Sequence, residues 1–154
     1  MSQNTTKSIL RDEEWRPIRG YEGLYEISNL GRVRSLARFP SRKGKGFYFH
    51  DERIMSPCVN TKGYLQVGLR REGERARLKM IHKLVLEHFL PNPENKPQGN
   101  HKNGIKSDCR LLNLEWCTQS ENLIHAYRTK LRIRMRGQLN PNFKHGRYGK
   151  KETA

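Results

Sequence analysis

Between Gln98 and Ala126 the chain reads QGNHKNGIKSDCRLLNLEWCTQSENLIHA, and this stretch carries the residue types that hydrolysis of a phosphodiester needs. Such a reaction requires a base for water, a cation to stabilise charge on the phosphoryl and leaving oxygens, and a scaffold that aligns them. His101 suits the first role, because an imidazole titrates near neutral pH. Asn100 and Asn122 offer amide oxygens suited to Mg²⁺ or Mn²⁺, hard ions that keep several waters and borrow phosphate oxygens as ligands. Asn113 has the chemistry to bond loop backbone and pin the strand that carries the base. His125 lies three residues after Asn122, so both fall on one helix face; it stands either to contact a phosphate or to orient a neighbour. Singly, each residue has an ordinary explanation: a histidine in a loop is usually surface, and Asn103–Gly104 is turn chemistry. Together, in a strongly basic chain, they point to a site.

The chain has 154 residues, 34% of them hydrophobic, and a formal net charge of +16. That excess of cations points to a polyanion, and double-stranded DNA is the expected partner. No long apolar run or apolar-faced basic helix supports a membrane instead. MSQNTTKSILRDEEW contains no apolar stretch of the secretory kind, so a cytoplasmic location is expected. Cys58, Cys109 and Cys117 are odd in number and lack CxxC spacing, which favours reduced thiols over a zinc site or disulfides.

The elements that must position the site are readable from pattern. YEIS and RVRSL, within 25–36, read as short strands around an Asn29–Gly31 turn. YLQVGLR (64–70) and RARLKM (75–80) form a hairpin. IHKLVLEHFL (81–90) has helical apolar spacing and stops at Pro91; His82 and His88 on it are expected to pack. Residues 99–101 and 113–118 read as strands around a polar loop. Thr118 and Glu121 then make a capping box that opens a helix bearing Asn122 and His125.

Phosphate or groove contacts are expected from Arg19, Tyr21, Arg32 and Arg34 in the N-terminal region. A loop containing Arg42, Lys43 and Lys45 adds to these. So does a tail with Arg132, Arg134, Arg136, Asn140, Asn142, Lys144 and Arg147.

The segment NHKNG…NLEWCTQSEN…HA resembles the HNH motif of phage and intron-encoded homing endonucleases. IHKLVLEHFLPNPENKPQ is similar to the lead-in helix of that group, and EEWRPIRGYEGLYEISNLGRVRSL to the modular motif that often precedes it. The resemblance implies an α+β protein with a ββα-metal nuclease core, an N-terminal β-rich module and a basic irregular C-terminal arm. It implies residues 1–60 as a DNA-binding module, 61–128 as the nuclease and 129–154 as the arm. His101 would be the general base, Asn100 and Asn122 the ligands of one Mg²⁺ or Mn²⁺, and Asn113 the structural middle residue. Many members of the group carry Asp before the histidine. Asn100 binds a cation less strongly than a carboxylate, so metal binding is expected to lean on DNA phosphate. The implied activity is DNA hydrolysis leaving 3′-hydroxyl and 5′-phosphate ends. The alternative is a DNA-binding protein that keeps the fold without the chemistry. Monomer and homodimer are both open.

Overall fold

The computed structural model of the protein describes residues 12–38 and 49–129. The expected contacts at Arg42, Lys43, Lys45, Arg132, Arg134, Arg136, Asn140, Asn142, Lys144 and Arg147 lie outside those residues. The described elements are β1 (Trp15–Pro17), β2 (Tyr25–Ser28), β3 (Val33–Ser35), β4 (Arg53–Ile54), β5 (Cys58–Val59), β6 (Leu65–Leu69), β7 (Arg77–Met80), α1 (Ile81–Phe89), β8 (Gln98–His101), a 3₁₀ turn (Leu111–Asn113), β9 (Leu114–Cys117) and α2 (Gln119–Arg128). They form three antiparallel sheets, ordered β1-β2-β3-β4, β5-β6-β7 and β8-β9.

The strands follow their side-chain alternation. In β2, Tyr25 and Ile27 turn inward while Glu26 stays part-exposed, the period-two pattern of a sheet with one face on the core. Gly31 turns the chain from β2 into β3 at φ +79°, and a Cβ there would press against the Cys109 backbone carbonyl at 2.9 Å. Glycine is thus required both for the left-handed turn and for the close approach of the 109 loop. Leu111 N donates to Asn29 O across the same contact at 2.8 Å. Strand β5 pairs with β6 across residue 60, so the expected boundary there is not a break in the hydrogen-bonded structure. One buried cluster runs from Ile18, Tyr25, Ile27 and Val33 through Val67 and Leu69 to Ile81, Leu84, Val85, Leu86 and Leu114.

Helix α1 is held by burial. It has no side-chain cap at its start, yet Ile81, Leu84, Val85 and Leu86 are all nearly inaccessible. At roughly 1.5–3 kcal/mol per buried aliphatic side chain, those four residues outweigh the ~1 kcal/mol that a missing cap costs. Hairpin β8–β9 lies close against it: a Cβ on Gly99 would overlap Leu86 Cδ1 and come within 3.4 Å of His82 Cδ2. Trp116 on β9 donates Nε1–H to Leu90 O at 3.0 Å, fixing the hairpin to the exit of α1.

Helix α2 is held differently, with no fully buried residue. Thr118 Oγ1 accepts from Glu121 N at 3.2 Å, and Thr118 N donates to Glu121 Oε2 at 2.7 Å. The anticipated capping box is therefore complete. The paired hairpin β8–β9 followed by α2 realises the anticipated ββα unit, and the expected α+β class holds.

Candidate active site

Hairpin β8–β9 sets the geometry. Its register pairs Gln98 with Cys117, Gly99 with Trp116, Asn100 with Glu115 and His101 with Leu114. Successive residues of a strand face opposite sides, so Asn100 and His101 enter different surroundings.

His101 is buried at 4% exposure and its ring lies 5.0 Å from that of His82 and 5.9 Å from that of Tyr64. His82 and Tyr64 are themselves 5.1 Å apart, which closes a three-ring cluster. Among the described residues, the buried Nε2 of His101 has no hydrogen-bond partner. Burial pushes the His101 imidazole below its ordinary value; nearby Lys106 adds to this, while Asp108 opposes it. The group is therefore neutral at neutral pH, the form that accepts a proton. Burial, reinforced by the charges of His101 and Lys83, lowers His82 further, to about 4. His82 packs as expected, but it packs against the candidate base.

Asn100 turns toward the neighbouring strand and toward α2. Its Nδ2 donates to Glu115 Oε1 at 2.8 Å. Asn122, in the first turn of α2, donates Nδ2 to Gln98 Oε1 at 2.9 Å. Gln98 and Asn100 are two residues apart on β8 and share a face, so the hairpin brings both expected ligands to one side. Among the described residues no donor is placed on Oδ1 of either asparagine. Two amide oxygens remaining as acceptors form a donor set that suits a hard divalent cation. Among the described residues no group of three His, Cys, Asp or Glu side chains is gathered, so such an ion would rely on amides and phosphate.

Asn113 braces the loop between the strands. Its Oδ1 accepts from Asn103 N at 3.0 Å and its Nδ2 donates to Asp108 O at 2.8 Å. Its own carbonyl accepts from Lys102 N at 2.8 Å, one residue past His101. Asp108 is tied in turn to Arg110 and Asn103, and those partners hold its carboxyl at about 2. His125 places Nε2 2.9 Å from Lys102 O. A carbonyl only accepts, so Nε2–H donates. The bond ties α2 to the end of β8.

The N-terminal candidates sit in the first sheet and the turn before it. Tyr21 is 6% exposed and stacks edge-on against Tyr25 at 5.9 Å with Arg71 over its other side. It is a core residue, buried with its ring in the hydrophobic cluster. Arg34 pairs with Glu26 and Glu52 and lies 4.5 Å over the Trp15 ring. Arg32 pairs with Glu13. Both guanidiniums thus pair with carboxylates of the N-terminal sheet and its approach. Arg19 remains exposed and sends one guanidinium nitrogen to Glu87 O at 3.3 Å.

Two residues near the site escaped the sequence reading. Gln98 holds Asn122, and Glu115 holds Asn100. The register of the β8–β9 hairpin was the available signal for Glu115, since a pairing of His101 with Leu114 sets Asn100 opposite it.

Residues 79–124 match the family model described as HNH endonuclease, and residues 13–70 match the NUMOD4 motif. The chain is 37% identical over 149 residues to the uncharacterized HNH endonuclease L247 of Acanthamoeba polyphaga mimivirus, covering 93% of this chain and 34% of that protein. It is 33% identical over 110 residues to DNA endonuclease I-HmuI of Bacillus phage SP01, covering 71% of this chain and 55% of that one. A solved structure titled "DNA binding and cleavage by the HNH homing endonuclease I-HmuI" superposes with a TM-score of 0.62 at 29% identity, over 79% of this chain and 62% of the other. The chain thus spans between about a third and two thirds of the length of these relatives. HNH nucleases as a group depend on divalent metal. With both matched segments in place and the ββα unit beneath the second, the chain carries an HNH endonuclease module preceded by a NUMOD4 motif, and it is similar over most of its length to phage and viral HNH endonucleases.

Proposed function

We propose that the chain is a DNA endonuclease that hydrolyses phosphodiester bonds with one Mg²⁺ or Mn²⁺ per site. The observation that carries this reading is a buried imidazole shifted toward its neutral form, next along β8 to Asn100, whose Oδ1, like that of Asn122 on α2, takes no donor among the described residues. The His101 imidazole accepts the proton of the attacking water. The His82 and Tyr64 rings fix the His101 ring laterally, and Asn113 with His125 fixes the backbone just after it. Asn100 and Asn122 would hold the ion. When bound, a divalent ion supplies charge stabilisation at the phosphoryl and leaving 3′ oxygens.

Double-stranded DNA is the proposed substrate, in keeping with the net charge of +16 and with the DNA named for I-HmuI. Residues 1–60 are assigned to DNA binding, 61–128 to cleavage and 129–154 to a basic arm, acting in the cytoplasm. Among the described residues no helix is long and apolar enough to cross a membrane. Incubation of supercoiled plasmid with and without Mg²⁺ tests the proposal. The expected result is nicked circles only with the ion, with nicks that DNA ligase seals directly because the ends are 3′-hydroxyl and 5′-phosphate. Plasmid binding with no nicking in Mg²⁺ or Mn²⁺ would leave the protein as a DNA-binding member of the family.

A further inference from the structure

We propose that Glu115 supplies the anionic ligand of the metal site, so that the carboxylate missing at Asn100 has moved to the strand paired with it. This rests on the nuclease reading above and names the charge that the reading lacks.

Three observations support it. First, Glu115 is the cross-strand partner of Asn100, and its Oε1 accepts the Asn100 Nδ2 proton at 2.8 Å. That bond orients the asparagine with Oδ1 left over, and leaves Glu115 Oε2 as a second acceptor beside it. Second, Glu115 is anomalous among the acids of this chain. Among the described residues, the other half-buried acidic side chains, Glu13, Glu14, Glu26, Glu74 and Asp108, each pair with an arginine. Glu115 is half-buried with no cationic partner among the described residues, in a protein with 31 lysines and arginines against 15 acids. A carboxylate removed from water wants a cation, and a bound divalent ion meets that need. Third, the pairing accounts for asparagine at position 100. An aspartate there would place two carboxylates side by side in the absence of metal, each disfavouring ionisation of the other. An amide at 100 instead donates to Glu115 and still offers an oxygen to the ion.

The donor set then comprises the Asn100 and Asn122 amide oxygens and one Glu115 carboxylate oxygen. That mixture suits Mg²⁺ or Mn²⁺ and leaves positions for water and phosphate.

The test is Mn²⁺ binding to the full-length protein, followed by electron paramagnetic resonance and by the rise in unfolding temperature on adding Mn²⁺. Glu115→Gln keeps shape and can still accept the Asn100 hydrogen bond. It is expected to fold with unchanged stability in EDTA, yet to bind Mn²⁺ about 10- to 100-fold more weakly, with loss of the thermal shift. The double variant Asn100→Asp/Glu115→Gln returns one carboxylate to the pair and should recover most of that affinity. Should Glu115→Gln misfold, the double variant and Glu115→Asp still decide. Recovery of Mn²⁺ binding by the double variant supports a ligand role, and Mn²⁺ binding indifferent to the carboxylate in both overturns it. Wild-type affinity in Glu115→Gln would overturn the assignment of Glu115 alone. A wild-type protein that holds no Mn²⁺, with or without duplex DNA, would overturn both this assignment and the metal-dependent nuclease reading.

Discussion

His101 and its neighbours show how few polar partners a reactive group needs when its surroundings are built from rings and backbone. Its imidazole has no hydrogen bond at Nε2 among the described residues and rests on His82 and Tyr64. His82 has its own consequence for stability. Its folded value of about 4 lies below the ordinary 6.5, so below pH 6.5 the unfolded chain takes up a proton that the folded protein refuses. Stability is therefore full above about pH 6.5 and falls as the pH drops toward 4. Replacing His82 with Phe keeps an aromatic ring and removes this titration. Urea unfolding measured between pH 7.5 and 4.5 should show a shallower loss of stability in His82→Phe, and an identical pH slope would place the acid sensitivity elsewhere. Asn113 makes a separate prediction. Asn113→Ala removes bonds to Asn103 N and Asp108 O, which should cost roughly 1–3 kcal/mol by urea unfolding at about 0.5–1.5 kcal/mol per bond. A midpoint unchanged from wild type would contradict its bracing role. The motif residues were legible at this scale because their types are chemically distinctive. Glu115 and Gln98 were not, because a glutamate or glutamine acquires meaning only from its partner across the register.

The two helices are secured by opposite means. Helix α1 sinks four aliphatic side chains into the core, whereas α2 buries none and is attached by Asn122–Gln98, His125–Lys102 and Lys96–Glu121. A ten-residue helix is marginal alone in water, so its cap carries much of its order. Thr118→Ala should cost ~1 kcal/mol and loosen Asn122, seen as faster amide exchange in 119–128 ahead of global unfolding. Exchange there that matches wild type would mean that the polar anchors suffice without the cap. The β2–β3 pair, the β6–β7 hairpin and α1 followed from apolar period and turn residues and the capping box from its residue types, whereas β8 and β9 were read only as separate strands and their pairing into a ββα unit came from the family resemblance. Strands β1, β4 and β5 did not, since pieces of two or three residues carry no period of their own and exist only through their partners. Tyr21, named as a candidate DNA contact, is buried by its packing against Tyr25 and Arg71, which only the tertiary structure reveals.

The whole molecule joins its two matched segments through one continuous core, with the Gly31–Cys109 contact and the Leu111–Asn29 hydrogen bond crossing between them. The N-terminal arginines within that body largely serve it, paired to glutamates or laid over rings. Deleting residues 132–154 removes Arg132, Arg134, Arg136, Lys144, Arg147, Lys150 and Lys151. If these bind phosphate, the slope of log K against log salt should shrink by roughly 0.9 for each phosphate no longer neutralised, and equal slopes would mean that the tail does not touch DNA. The site residues named here all precede that cut, so the truncated protein should still nick plasmid at low salt. The most direct test of the central claim compares wild type with His101→Ala for Mg²⁺-dependent plasmid nicking at saturating protein. The prediction is a fall of at least ~10²-fold in nicking rate with duplex affinity and its salt dependence unchanged; a His101→Ala protein that nicks at the wild-type rate would contradict it.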